Sequence, residues 1–296
     1  MMNNPQLYIV DVFAENKYEG NQLAVVRGAG HFSDRQMQQI AKEMNYSETT
    51  FIVSEQPENG GYHVRIFTPE DELPFAGHPT LGTAFIIQQE MLREKAGVVN
   101  LNLEVGQIPV KFNYEGDRLA ELWMTQMPPE FGPRYNAGQI SHMLHLDVSD
   151  IDPRFPIQEV STGVPAMIVP LKSLDAVRRA RIRRSIYFEL VEKIASKAIL
   201  IFAPETVHPE NQLHVRVFVD YYGVPEDPAT GSANGCLAGY LAHHHYWGQP
   251  QIETRVEQGY EIGRPSLLLL RANESDSRVT VQVGGRAILV ARGELV

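Results

Sequence analysis

Cysteine is almost absent from this chain. Cys236 is the only one in 296 residues, so no intrachain disulfide, no redox thiol pair and no multi-cysteine zinc site can form. Long apolar runs are missing too. The best candidate, residues 267–270, has the length of a buried strand and falls far short of the ~20 residues that span a bilayer. The first five residues show no basic segment leading into an apolar core, so no secretory signal is expected and a cytoplasmic location follows. Positive charge is in short supply, with 26 Lys and Arg against 36 Asp and Glu and a net charge of −10. Nucleic acids and anionic membranes both require a basic surface, so neither is expected as a partner.

What is present is ordinary globular composition, with 43% hydrophobic and 21% charged residues, enough apolar material to form a packed core. The length suggests about two domains. Alternating apolar and polar residues predict strands over 7–13, 23–26, 49–53, 62–68, 98–103, 108–114 and 120–127. Ser33 and Asp34 open a predicted helix reaching about Met44, with Met37, Ile40, Ala41 and Met44 at helical spacing. A second helix is expected from Pro79 to about Glu94. The stretch Met127-Pro128-Pro129-Glu130-Phe131-Gly132-Pro133 reads as a linker, giving domains over 1–126 and 127–284. Beyond it the same grammar returns. Strands are predicted at 166–170, 198–202, 214–219, 266–271, 279–283 and 286–292, and helices at 185–197 and from Pro228 to about His245.

That return has the form of an internal duplication. Arg65-Ile66-Phe67-Thr68 matches Arg216-Val217-Phe218-Val219. His78-Pro79-Thr80-Leu81-Gly82-Thr83-Ala84 lines up with Asp227-Pro228-Ala229-Thr230-Gly231-Ser232-Ala233, at an offset of 149, half the chain. In each copy a capping residue precedes a Pro at the first helical position, where its missing N–H costs nothing. Asp227 is a good N-cap, whereas His78 is a poor one, which hints at another duty. Glycine inside a helix costs about 1 kcal/mol relative to Ala, so Gly82 and Gly231 suggest close approach to the backbone. An uncapped helix N-terminus is also an anion site. Both helices are apolar on all sides and should be buried. The expected architecture is α+β, with two pseudo-symmetric domains, each a barrel-like sheet wrapped around a central helix, and both helix tips facing one cleft.

Several of these residues resemble the PhzF family, the phenazine-biosynthesis isomerase-like proteins. They are Gly20-Asn21-Gln22-Leu23-Ala24-Val25, Ser47-Glu48-Thr49-Thr50-Phe51, Ala76-Gly77-His78-Pro79, Glu226 to Ala233, Gln258-Gly259 and Gly263-Arg264-Pro265-Ser266, in family order over nearly the whole chain. The resemblance implies a diaminopimelate epimerase-like fold, with the final strand, about 285–296, returning to the first domain. It implies a cofactor-independent isomerase that moves a proton on a small carboxylic acid, and a homodimer. Glu48 falls on the family's general acid/base, with His78 and Asp227 as catalytic partners. Asn21, Gly77, Thr230, Gly231 and Ser232 fall on its substrate-binding positions. Diaminopimelate epimerase itself uses one cysteine from each half. Cys236 alone cannot do that.

Moving a proton from carbon requires a base whose pKa lies near the working pH, and burial raises a carboxyl group toward that range. The alternatives are a racemase, epimerase or dehydratase acting on an amino or hydroxy acid, or a non-catalytic interaction protein that keeps the fold. No metal is expected. His243, His244 and His245 are consecutive, so on a helix they point about 100° apart, and His142 and His145 lack a third ligand. The basic run 178–184 reads as a solvated face.

Overall fold

The computed structural model describes residues 4–275 and 278–296. Residues 1–3, part of the N-terminal segment read above, lie outside them. The chain divides into two compact units, one ending at Met124 and including Gly284–Val296, the other spanning Thr125–Val283.

The first unit opens with β1 (Gln6–Val12) and β2 (Asn21–Arg27). Helix α1 (Asp34–Met44) follows, then β3 (Glu48–Ile52), β4 (Tyr62–Phe67) and the short β5 (Glu72–Leu73). Helix α2 (Gly77–Ile86) comes next, then β6 (Val98–Leu103), β7 (Gly106–Glu115) and β8 (Arg118–Thr125). Helix α1 starts on the expected cap. Ser33 and Gln36 form a reciprocal capping box, and Met37 and Ala41 turn inward onto Val26, Phe51 and Phe67. Every residue of α2 is buried, and β1, β2, β3, β6 and β7 all pack against it. A helix with no polar face is stable only when enclosed on all sides, and here the sheet curls around it.

The second unit contains β9 (Glu130–Tyr135), α3 (Ala137–Met143), β10 (Ile157–Ser161), β11 (Pro165–Pro170), α4 (Leu174–Arg179) and α5 (Arg184–Val191). It continues with β12 (Ala198–Ala203), β13 (Leu213–Val219), β14 (Val224–Asp227), α6 (Gly231–His243), β15 (Gln251–Gln258), β16 (Ser266–Ser275) and β17 (Arg278–Gly285). The last strand, β18 (Ala287–Glu294), pairs antiparallel with β1 in the first unit. Helix α6 is the buried centre of this second sheet, packed by β10, β11, β15 and β16.

The two units share one strand plan. In the first, β1–β2 is antiparallel, β2–β3 parallel, β3–β4 and β4–β5 antiparallel, β4–β6 parallel and β6–β7 antiparallel. In the second, β10–β11, β11–β12, β12–β13, β13–β14, β13–β15 and β15–β16 repeat that order of senses. The duplication is therefore structural, but its register differs from the sequence match. Strand pairing sets Phe67 opposite Glu72 and Phe218 opposite Glu226. Leu73 thus corresponds to Asp227, Gly77 to Gly231, and His78 to Ser232.

Several expectations change. Neither His78 nor Asp227 is an N-cap. His78 is the second residue inside α2, behind Ala76, and Asp227 ends β14, with Thr230 at the N-cap of α6. The chain needs Pro228 to Thr230 to turn from strand into helix, which delays the helix start to Gly231. The predicted helix over 185–197 closes at Val191. The Pro-rich stretch 127–133 is more than a linker. Its second half is β9, paired with β10, and Pro129 lies against the Gly239 backbone of α6.

Candidate active site

Glu48 opens β3, opposite Leu23 of the parallel strand β2. Its side chain is only 16% exposed, and its Oε2 lies 3.3 Å from Nε2 of His78. The other ring nitrogen, Nδ1, lies 3.3 Å from Nδ2 of Asn21, the buried first residue of β2. Packing fixes these three positions. The Thr83 hydroxyl of α2 donates to Thr50 Oγ1 of β3 at 2.7 Å, tying the helix to the strand that begins with Glu48. Gly82 makes that approach feasible, since a Cβ there would sit 2.6 Å from Leu23 Cδ2 and 2.8 Å from Val12 Cγ2. The close neighbours of Gly82 are therefore core side chains.

Burial pushes the His78 imidazole down to about 3, with a backbone hydrogen bond at Gln22 opposing it weakly. The ring is neutral at physiological pH, so the contact with Glu48 is not an ion pair. A neutral imidazole carries one N–H and one lone pair. The 3.3 Å approach falls outside hydrogen-bond geometry, and a small rotation of either side chain would let the ring donate to a carboxylate or accept from a carboxylic acid.

In the second unit, Asp227 is buried at the end of β14, and its Oδ2 accepts a 2.5 Å hydrogen bond from the Thr230 hydroxyl. Helix α6 begins without a side-chain cap, as α2 does behind Ala76. Gln258 holds the turn together. Its Nε2 donates to the Asp227 carbonyl at 2.8 Å and to Thr230 Oγ1 at 3.1 Å, while its Oε1 accepts from the Thr230 N–H at 3.2 Å and from Asn234 Nδ2 at 2.8 Å. Gly259, at φ 81°, lets the chain pass Pro228, where a Cβ would meet the Pro228 carbonyl oxygen at 2.6 Å. Ser232 is half-buried in the first turn of α6.

The structure thus brings Glu48, His78 and Asn21 together beside Gly77, and Asp227, Thr230, Gly231 and Ser232 together around one turn. Gln258 was not among the expected site residues. Its adjacency to Gly259 was the signal that could have found it.

Over residues 10–293 the chain matches the sequence profile of the phenazine biosynthesis-like proteins, PhzC-PhzF. It belongs to that family. Among its relatives is an uncharacterized isomerase of Pasteurella multocida, 36% identical over 303 residues, which cover 99% of this chain and 95% of that protein. Another is the trans-2,3-dihydro-3-hydroxyanthranilate isomerase of Pseudomonas fluorescens, 35% identical over 97% of this chain and 98% of the relative. The crystal structure of a PhzF-family protein of Bacillus anthracis superposes over 100% of both chains, with a TM-score of 0.90 and 27% identity. This PhzF-family chain is an isomerase with the α+β fold of its relatives. Among the described residues no helix is long and apolar enough to cross a membrane, and no group of three or more His, Cys, Asp or Glu is placed to hold a metal ion. His243 and His245 face Glu274, while His244 turns to Gln158. Cys236 is buried in α6, where desolvation raises its thiol pKa. Most of the basic run is engaged: Arg179 pairs with Asp150 and Asp175, Arg184 with Asp220, and Arg181 donates to the carbonyls of Arg178 and Ala180.

Proposed function

We propose that this isomerase moves a proton between two positions of a small unsaturated carboxylic acid, with Glu48 as the general acid/base and no cofactor in the step. The C–H bond breaks toward a Glu48 oxygen, and its electron pair enters the π system conjugated to the substrate carboxylate. Glu48 then returns the proton to a different atom of that system, so the reaction balances within one molecule. The observation that carries this reading is the placement of a mostly buried carboxylate 3.3 Å from a neutral imidazole that is itself anchored by Asn21. A partner that both donates and accepts suits a residue that must act first as base and then as acid.

The amide end of α2, in the unit that carries Glu48, is assigned to the substrate's negative charge, because a helix N-terminus without a side-chain cap presents N–H groups and a partial positive charge of roughly half an electron. Gly77 is assigned to substrate binding on this basis, and Asp227, Thr230, Gly231 and Ser232 are assigned to binding within their own unit from the family motif they carry. Names of relatives such as trans-2,3-dihydro-3-hydroxyanthranilate isomerase support a hydrogen shift on an unsaturated ring acid as the reaction class.

The test is incorporation of deuterium from D2O into such an acid, followed by mass spectrometry. Glu48→Gln is expected to slow exchange by about 10²–10⁴-fold, with an unchanged circular dichroism spectrum. Exchange at the wild-type rate in the folded variant would remove Glu48 from the mechanism.

A further inference from the structure

The strands that carry Asp227 and Gln258 have a second face. Residues 213, 215 and 217 of β13 turn toward α6, as do Asp227 of β14 and Gln258 of β15, opposite Val217 and Val215 in register. The neighbours of these two residues, Glu226 and Glu257, turn the other way, and that reverse face holds an ionic cluster. His214 is completely buried, with Nδ1 2.9 Å from Glu257 Oε2 and Nε2 3.1 Å from Glu261 Oε1. Glu257 also accepts the N–H groups of Val207 and His208 and Nδ2 of Asn211. Arg216, two residues along β13, makes a two-pronged pair with Glu226 at 2.9 and 2.7 Å and lies 3.9 Å from Glu261.

The first unit provides an internal comparison. The repeat extends back from Arg65 and Arg216 to His63 and His214, within His63-Val64-Arg65-Ile66-Phe67 and His214-Val215-Arg216-Val217-Phe218. The arginine fork is present in both units, since Arg65 grips Glu72 at 2.7 and 2.6 Å just as Arg216 grips Glu226. The histidine arrangement differs. His63 is exposed, and Asn102 occupies the paired position that Glu257 holds beside His214. The position of Asp227 is held in the first unit by Leu73. Among the described residues the buried acid–histidine–acid clamp therefore occurs only in the unit where the corresponding turn carries Asp227.

We propose that His214 is a positioning residue: clamped between Glu257 and Glu261 on the reverse of the sheet, it fixes the 226–230 segment and Gln258 for the reaction. The inference rests on the reading that Asp227 takes part in that reaction. Its physical basis is charge. With His214 protonated, the cluster of His214, Arg216, Glu226, Glu257 and Glu261 holds two cations against three carboxylates. With His214 neutral, Glu257 and Glu261 are left facing one ring with one proton to share. Tyr260, its ring tilted at 58° and 5.5 Å from that of His214, and His208 and Arg255 in the adjoining loop and strand add titratable and charged groups to the surroundings. Burial alone would lower the His214 pKa, but the hydrogen bonds and charges of Glu257 and Glu261 outweigh it and hold the imidazole above its ordinary value.

The experiment is an NMR titration of the folded full chain between pH 5 and 9, following the His214 ring and the backbone amides of Thr230 and Gly231. The expected result is a His214 midpoint above 6.5, with both amides moving at the same midpoint, and no such movement in His214→Gln. Kinetically, His214→Gln is expected to lower kcat by about tenfold to a hundredfold and to abolish the alkaline inflection that coincides with the ring titration. His63→Gln should stay within about twofold of wild type. A midpoint at or below 6.5, or amides that ignore its titration, would overturn the proposal, and the wild-type titration gives this answer even if His214→Gln fails to fold. An intact amide response alongside full activity in Glu48→Gln would instead overturn the reading of the reaction and leave the clamp standing.

Discussion

At neutral pH the His78 ring carries no charge, and this has a consequence for stability as well as for chemistry. Its native pKa of about 3 lies below the ordinary value of 6.5, so between those limits the unfolded chain binds a proton that the native chain refuses. Stability from this residue is fully present above about 6.5 and is lost as pH falls toward 3, with a slope of up to about 1.4 kcal/mol per pH unit. Urea midpoints between pH 4 and 7 should show this slope in wild type and a flatter one in His78→Gln; parallel curves would contradict it. The residue identities were readable at this scale, since Glu48, His78 and Asn21 are all carried by motifs. Their mutual distances and the neutrality of the ring were not, because both depend on burial created by α2 and the strands around it.

Among the elements, the two central helices show why local rules mislead. Pro79 and Pro228 sit in similar short motifs, and cap logic reads both as first helical residues. The structure starts α2 two residues before Pro79 and α6 three residues after Pro228. Hydrogen bonds from Gln258, distant in sequence, decide the second case. The helix glycines also find a tertiary reason. Gly82 meets Leu23 and Val12, and Gly239 meets Pro129. Gly82→Ala is therefore expected to destabilise the first unit by about 1–3 kcal/mol through overpacking, despite the better intrinsic helix propensity of Ala. Thermal unfolding is the measurement, and a stabilised variant would refute the packing argument. By contrast α1 was legible almost to the residue, because its capping box and its inward Met37 and Ala41 are set by neighbours within a few positions.

For the whole molecule, the notable feature is how the first unit closes. Strand β18 returns to pair with β1, and the equivalent place beside β10 is filled by β9. The first unit is thus completed by a strand that follows the whole of the second unit in sequence. A chain ending at Gly285 would leave β1 with a bare edge, an invitation to aggregation, and would lose several kcal/mol of a stability that is typically 5–15. It is expected to be insoluble or to melt well below the full chain; a soluble fragment with an unchanged melting temperature would show that β18 is dispensable.

Many of the strands and helices, the buried character of α2 and α6, the existence of a repeat and the residues that match the family were determined by the sequence, through periodicity, capping and motif, each a property of a short window; β9, β10, β15, α3 and α4 were not predicted by those windows. Tertiary structure alone decided the true register of the repeat, with His78 matching Ser232 and Leu73 matching Asp227. It also decided the grip of Gln258 on the 227–230 turn and the clamp around His214. These depend on which strands lie side by side, and strand pairing joins residues whose separation along the chain no local pattern records.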